Sequence, residues 1–130
     1  MILGLGIDVI EIQRIRQALD RYDDHFIRHV FREDEQADAP GGSARYAFYA
    51  GRWAAKEAVS KALGTGIGER CGWTDIRIRR THGGKPRIEL SGRGRRTADE
   101  LGIDALHVTI SHEGNIACAA AVAEGESDLL

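Results

Sequence analysis

The sequence predicts an α+β fold in which hairpin-linked antiparallel strands pack against a long helix, in the order β-α-α-β-β-α-β-β. Three observations lead there. Apolar residues alternate with period 2 near both ends of the chain, they step by three and four through the first half, and the later strands are joined by short glycine turns. A doubly wound sheet needs a helix after every strand, which this pattern does not supply. At 130 residues, with no linker or internal repeat, residues 1–130 are expected to form one domain.

The first strand is read from Leu3, Leu5, Ile7 and Val9, which alternate with Gly4, Gly6 and Asp8. The apolar row is expected to be buried, leaving a face stripped of side chains around one carboxylate at the strand's end. From Ile12 the period changes. Ile12, Ile15, Leu19, Tyr22 and Phe26 form the seam of a helix running to about Arg28, and Arg14, Arg21 and Arg28 recur every seven residues on another face. Such a stripe suits an acidic partner helix and equally suits a wet helix face. Residues 32–36 read as a short polar helix and 39–43 as a connector. Ser43 is the expected N-cap of a long alanine-rich helix that ends at Gly64. Strands over 73–79 and 87–90 flank the turn 82–86, a short helix around 97–101 stops at Gly102, and strands 106–111 and 116–122 flank the turn 112–115.

Hydrophobic residues at 42% and charged residues at 29% exclude a disordered tail or a fibrous repeat. No apolar run approaches the ~18 residues of a bilayer span, and Asp8 interrupts the N-terminal apolar stretch too early for a secretory signal. Cys71 and Cys118 stand far apart without metal-site spacing. A cytoplasmic protein without a membrane partner is therefore expected. The net charge of −2 hides a basic block: residues 70–96 carry nine basic and two acidic side chains, and 97–130 carry none and seven. That block fits contact with a polyanion, or solvated strand faces balanced by the acidic C-terminal third. A nucleic-acid partner is not expected, since no RNA-binding motif is present and 6% aromatics leave few stacking platforms.

Glu57 and Lys61 lie four residues apart on one face of the long helix, with Trp53 four residues before Glu57. The same spacing makes an ordinary surface ion pair. Two features argue for more: Lys61 precedes a glycine loop whose amides are candidates to reach an anion, and Asp8 is a second carboxylate on a glycine-lined strand. If Asp8 and Glu57 converge, two hard oxygen ligands with open positions suit Mg²⁺, which completes its shell with water and substrate phosphates. Lys61 then faces phosphate. With His112 in a turn and the basic block nearby, the collection fits a ligand carrying several phosphates.

The combination resembles the holo-[acyl-carrier-protein] synthases, the short, trimeric members of the 4′-phosphopantetheinyl transferases. The resemblance is carried by GLGIDVIEI at 4–12 with Arg14 and Ile15, GRWAAKEAVSKALGTG at 51–66, WTDI at 73–76, GKP at 84–86 and HVTISH at 107–112, in the family's order. It implies transfer of 4′-phosphopantetheine from coenzyme A to a serine of an apo acyl carrier protein, releasing adenosine 3′,5′-bisphosphate, in a homotrimer with its site between neighbouring subunits. Carried over by position, Asp8 and Glu57 are Mg²⁺ ligands, Lys61 contacts the pyrophosphate, and Arg52 and His112 lie near the 3′-phosphate. Gly64, Thr65 and Gly66 lie along the coenzyme, and Lys85 and Pro86 near the adenine. Glu57 itself, a hydroxide on the metal, and Lys61 are the candidates to accept the serine proton. Ile10 stands where longer relatives carry a further metal-ligating acid. Arg14, Arg21 and Phe26 match positions that grip the carrier's acidic helix, and His25 replaces a frequent third cation. A silent coenzyme-binding module is the non-enzymatic alternative, and a basic-faced RNA-binding domain the unrelated one.

Overall fold

The computed structural model describes residues 1–22 and 24–126. In chain order the elements are β1 (Ile2–Glu11), α1 (Ile12–Tyr22), α2 (Asp24–Val30), α3 (Glu33–Ala37), α4 (Ala44–Ala62), a single 3₁₀ turn (Trp73–Asp75), β2 (Ile76–Arg80), β3 (Pro86–Leu90), α5 (Gly92–Glu100), β4 (Ile103–Glu113) and β5 (Ile116–Gly125). One antiparallel sheet has the order β1-β5-β4, and β2 pairs with β3 in a separate hairpin. The α+β class and the hairpin linkage are as the sequence reads.

The sense of β1 is reversed from the expectation. Leu5, Ile7 and Val9 are 68%, 64% and 59% exposed, and the glycine face is the one that packs. The cause is α4. A Cβ on Gly4 would lie 1.9 Å from the carbonyl oxygen of Ala62, and one on Gly6 would lie 1.8 Å from that of Ala58. Strand and helix therefore meet backbone to backbone, which only glycine facing alanine allows. Across the sheet Gly6 pairs with Ala121 and Asp8 with Ala119, and the inward residues of β5 (Ala117, Ala119, Ala121, Ala123) are all buried. The core is thin under α4, and Asp8 stands on its floor within the strand rather than at its end.

Other boundaries differ for local reasons. The helical seam leaves Tyr22 55% exposed and continues through Ile27 and Val30. Ser43 makes no capping side-chain hydrogen bond. Residues 73–75 form a 3₁₀ turn because the Asp75 carboxylate accepts the amides of Gly72 and Gly94, folding the chain back on itself. β4 runs through Glu113, so His112 is a strand residue paired with Ala117, not a turn residue.

Two charge networks fasten the helices to the β2–β3 hairpin. Lys56, fully buried, donates to Val30 O (2.7 Å), Glu35 Oε1 (2.8 Å) and Trp73 O (3.1 Å). Glu35, 2% exposed, also accepts the amides of Arg32 and Ile78. Burial pulls the Lys56 ammonium below its ordinary pKa, opposed by the Glu35 charge. The second network consumes much of the basic block: Arg77 pairs with Asp34 and Glu89, and Arg79 with Asp34 and Asp38. Arg70, Arg87, Arg93 and Arg95 also face carboxylates. The acids come from α3 and the residue that closes it, from β3 and α5 and from Asp75; of these only Asp99 and Glu100 belong to the acidic segment 97–130, so the block is neutralised mostly by its own surroundings and offers no broad polyanion surface. No helix among the described residues is long and apolar enough to cross a membrane.

Candidate functional site

The close seat of α4 on β1 brings three of the singled-out side chains together. Lys61 Nζ donates to Asp8 Oδ1 (3.1 Å) and to the carbonyl of Ile7 (3.0 Å). The second carboxylate oxygen of Asp8 is buried without a hydrogen-bond partner. A buried orphan acceptor is costly and is ordinarily matched by a donor or a cation. Glu57, one turn before Lys61, is half-buried, and burial first and the Asp8 charge second push its carboxyl above the ordinary value, against the pull of Lys61. Two carboxylates and one ammonium leave a charge of −1, which a divalent cation turns positive. Among the described residues no group of three His, Cys, Asp or Glu side chains stands together, and Ile10, two residues beyond Asp8 on the same face, is buried hydrocarbon. The donor set is two hard oxygens with the remaining positions open, which suits Mg²⁺.

A second group forms elsewhere. Arg52 and His112 line a cavity of about 430 Å³ together with Phe48, Arg80, Gly84 and Pro86. Arg52 is 7% exposed, stacks over the Phe48 ring at 4.9 Å, and has a buried Nε without a partner. Lys85 faces a neighbouring groove between β3 and β4 instead. The two groups are on opposite flanks of α4. Nine residues separate Arg52 from Lys61, two and a half turns at about 3.6 residues each, which is half a revolution.

The glycine exit does not offer free amides. The amide of Gly64 donates to Lys61 O and those of Thr65 and Gly66 to Ser60 O, so these donors close the C-terminus of α4 and none is left for an anion. Gly64 sits at φ +83°, the conformation that ends a helix this way. Its flank, with Lys61 and the start of β1, lines a further cavity of about 400 Å³.

The model of the 4′-phosphopantetheinyl transferase superfamily matches residues 4–121. A holo-[acyl-carrier-protein] synthase of Desulforudis audaxviator is 41% identical over 128 residues, covering 98% of this chain and 97% of that protein. Among solved structures, the synthase of Neisseria meningitidis superposes with a TM-score of 0.87 at 30% identity, covering 95% of this chain and 99% of that one. The Bacillus anthracis synthase, solved in complex with CoA (3′,5′-ADP), gives 0.81 at 39% identity over 97% and 99%. The chain belongs to the 4′-phosphopantetheinyl transferase superfamily.

As a phosphopantetheinyl transferase it carries Arg14 and Arg21 on the exposed side of α1, with Phe26 half-buried on α2 and packed against the core. Reading the sequence alone missed Glu35 and Arg80. Glu35 sits in what reads as a polar helix, and its burial depends on Lys56 of α4. Arg80 was hidden among the arginines of a basic block, although strand parity sets it apart: Ile76, Ile78 and Arg80 share one face of β2, and Arg77 and Arg79 the other.

Proposed function

We propose that this transferase moves 4′-phosphopantetheine from coenzyme A to a serine hydroxyl of an apo acyl carrier protein, with Mg²⁺, releasing adenosine 3′,5′-bisphosphate. The observation that carries the reading is the cluster of Asp8, Glu57 and Lys61, with the unpartnered Asp8 Oδ2 at its centre. Asp8 and Glu57 would hold the ion. When bound, it supplies positive charge that stabilises the transferring phosphoryl group and the leaving diphosphate oxygen.

Each side chain has a task. Lys61 contacts the pyrophosphate as a point charge on a stem anchored by helix α4. Its ammonium donates to Asp8 and to Ile7 O and has no lone pair with which to take a proton. Glu57, a carboxylate with lone pairs on both oxygens, is the better acceptor. The serine oxygen bonds to the phosphorus that bears pantetheine, the serine proton passes to Glu57, and the bond from that phosphorus to the bridging oxygen breaks. The bridging oxygen leaves on the nucleotide bisphosphate. Arg52 and His112 bind the 3′-phosphate, Pro86 lines the adenine side, and Lys85 stands at its rim. Gly64, Thr65 and Gly66 flank the coenzyme through their surfaces, not their amides. Arg14, Arg21 and Phe26 receive the carrier.

The active unit in this reading is a homotrimer. Leu5, Ile7 and Val9, with Ile116 beside them, form an outward apolar row that a second copy would cover. An inter-subunit site also answers the geometry of α4, because one chain presents its cation pocket and its acid cluster on opposite flanks.

The test is covalent labelling of apo carrier serine with coenzyme A and Mg²⁺. Asp8→Ala and Glu57→Ala are expected to lose nearly all labelling while the assembly stays intact. Undiminished labelling by either variant overturns the acid assignment.

A further inference from the structure

The cavity around Arg52 contains one more cation than the residues already assigned to it, and that cation's backbone is held by a carboxylate of the network that fastens α3 to β2. Arg80 is the last residue of β2 and shares the inward face with Ile76 and Ile78, which are 0% and 1% exposed. Where the strand passes beyond the core, that parity directs Arg80 to the wall of the 430 Å³ cavity, together with Arg52 and His112. Its neighbours on the strand are matched by acids: Arg77 by Asp34 and Glu89, Arg79 by Asp34 and Asp38. Among the described residues the Arg80 guanidinium has no carboxylate partner, and neither has that of Arg52.

The backbone at Arg80 is fixed from α3's end. Asp38, the residue that closes α3, accepts the Arg79 Nε at 3.0 Å and the Arg80 amide at 3.2 Å on the same oxygen, Oδ2. One carboxylate oxygen thus takes the outward arginine out of play and pins the peptide from which the inward arginine springs. Arg52 feels its neighbour: burial first, and the Arg80 charge second, pull the Arg52 guanidinium below its ordinary pKa, against the more weakly acting charges of Asp38 and Glu35. Like charges gathered in a half-closed cavity without an acid in contact are an unfavourable arrangement that a bound dianion reverses.

We infer that Arg80 is a third phosphate-binding cation of this cavity and that Asp38 is its positioning residue, setting the preference for a coenzyme that carries a 3′-phosphate. The inference rests on the reading of the cavity as the 3′-phosphate site. Asp38 touches no substrate in this scheme and acts through the β2 backbone.

The experiment is calorimetric binding of coenzyme A and of dephospho-coenzyme A, which lacks the 3′-phosphate, to the assembled protein. Wild type is expected to favour coenzyme A. Arg80→Ala should cut that preference by roughly 10-fold or more, the worth of a charged hydrogen bond, while leaving affinity for dephospho-coenzyme A unchanged. Arg80→Lys should restore part of it, and Asp38→Asn should reduce it less than Arg80→Ala does. Arg80 ends β2 at the surface and Asp38 closes α3 beside it, and unchanged dephospho-coenzyme A binding reports an intact fold. If wild type discriminates and both Arg80→Ala and Asp38→Asn keep the full preference, the inference is overturned while the cavity assignment survives. If wild type shows no preference, the cavity assignment itself fails and takes the inference with it.

Discussion

Gly6→Ala is the sharpest test of how packing makes the site. The new Cβ would lie 1.8 Å from Ala58 O and 2.8 Å from Ala62 N, both backbone atoms of α4 that cannot rotate away. Contacts under 3.0 Å essentially do not occur, so helix and strand must part by at least about 1.2 Å at this point. Gly6 is two residues before Asp8 on the same face, and Ala58 directly follows Glu57. The separation therefore falls between the two carboxylates. Overpacking of this kind costs about 1–3 kcal/mol of stability, which leaves a foldable protein, whereas a misplacement of about 1 Å at reacting groups costs roughly 100-fold in rate. Denaturant unfolding and initial rates of carrier labelling measure the two effects separately. Ile76→Val, which removes one methylene from a fully buried position in β2, gives a stability loss of about 0.5–1.5 kcal/mol without moving α4, and is expected to keep near-normal rates. If Gly6→Ala labels carrier at the rate of Ile76→Val, the backbone contact does not set the acid pair.

Three further outcomes follow from the same geometry. Glu35→Ala leaves the Lys56 ammonium buried with only carbonyl partners and should cost about 3–5 kcal/mol in denaturant unfolding; a loss below about 1 kcal/mol would mean the pair is no more than a surface contact. Ile7→Glu puts charge in the outward apolar row and should yield a folded monomer in sedimentation velocity, whereas an unchanged sedimentation coefficient denies that row any role in assembly. Acid should loosen the β2–β3 hairpin before the core. Burial raises Asp34 and Asp38 but Arg77 and Arg79 outweigh it, and Arg77 lowers Glu89, so all three titrate below their ordinary values of 3.8, 3.8 and 4.5. Their folded-state pKa values are depressed, so the stabilisation is complete above those ordinary values and is lost as pH falls through the lowered ones. Amide protection over β2 should drop as pH falls below those ordinary values while that of α4 persists, and uniform loss would refute a separate anchor.

The elements themselves are legible because periodicity depends on local geometry. What periodicity does not carry is which face of β1 is inside. Leu5, Ile7 and Val9 look like a core row, and they become one only against something outside the chain, while Gly4 and Gly6 look like an empty face until α4's alanines are laid on them. The same pair of signals, two glycines on a strand and alanines through a helix, also foretells the backbone contact that joins Asp8 to Glu57 and Lys61, so the acid cluster is the most readable part of the site. Glu35 is unreadable for the opposite reason: a five-residue polar helix has no face preference of its own, and its burial is decided by Lys56, 21 residues away. The free-amide reading of the glycine exit failed because a helix C-terminus has carbonyls to satisfy, and the amides just beyond it are taken for that purpose.

The half revolution of α4 between Arg52 and Lys61 can be tested by mixing one inactive protein with one that binds coenzyme A weakly. If the coenzyme's nucleotide is held by one subunit and its diphosphate by the next, Asp8→Ala chains and Arg52→Ala chains each lack one component at every interface. Co-refolded in equal amounts, they form mixed trimers in which a site is whole wherever the acid cluster of an Arg52→Ala chain meets the cation pocket of an Asp8→Ala chain. Random assembly makes that combination about a quarter of all sites. At a coenzyme A concentration near the wild-type KM, where Arg52→Ala alone labels poorly and Asp8→Ala does not label, labelling should therefore recover to about a quarter of the wild-type rate. A site built within one chain gives no intact copy in any mixture, because every chain carries a defect. Absence of recovery, with mixed trimers demonstrated by mass spectrometry, would place both components of the site in a single subunit and require the coenzyme to wrap α4.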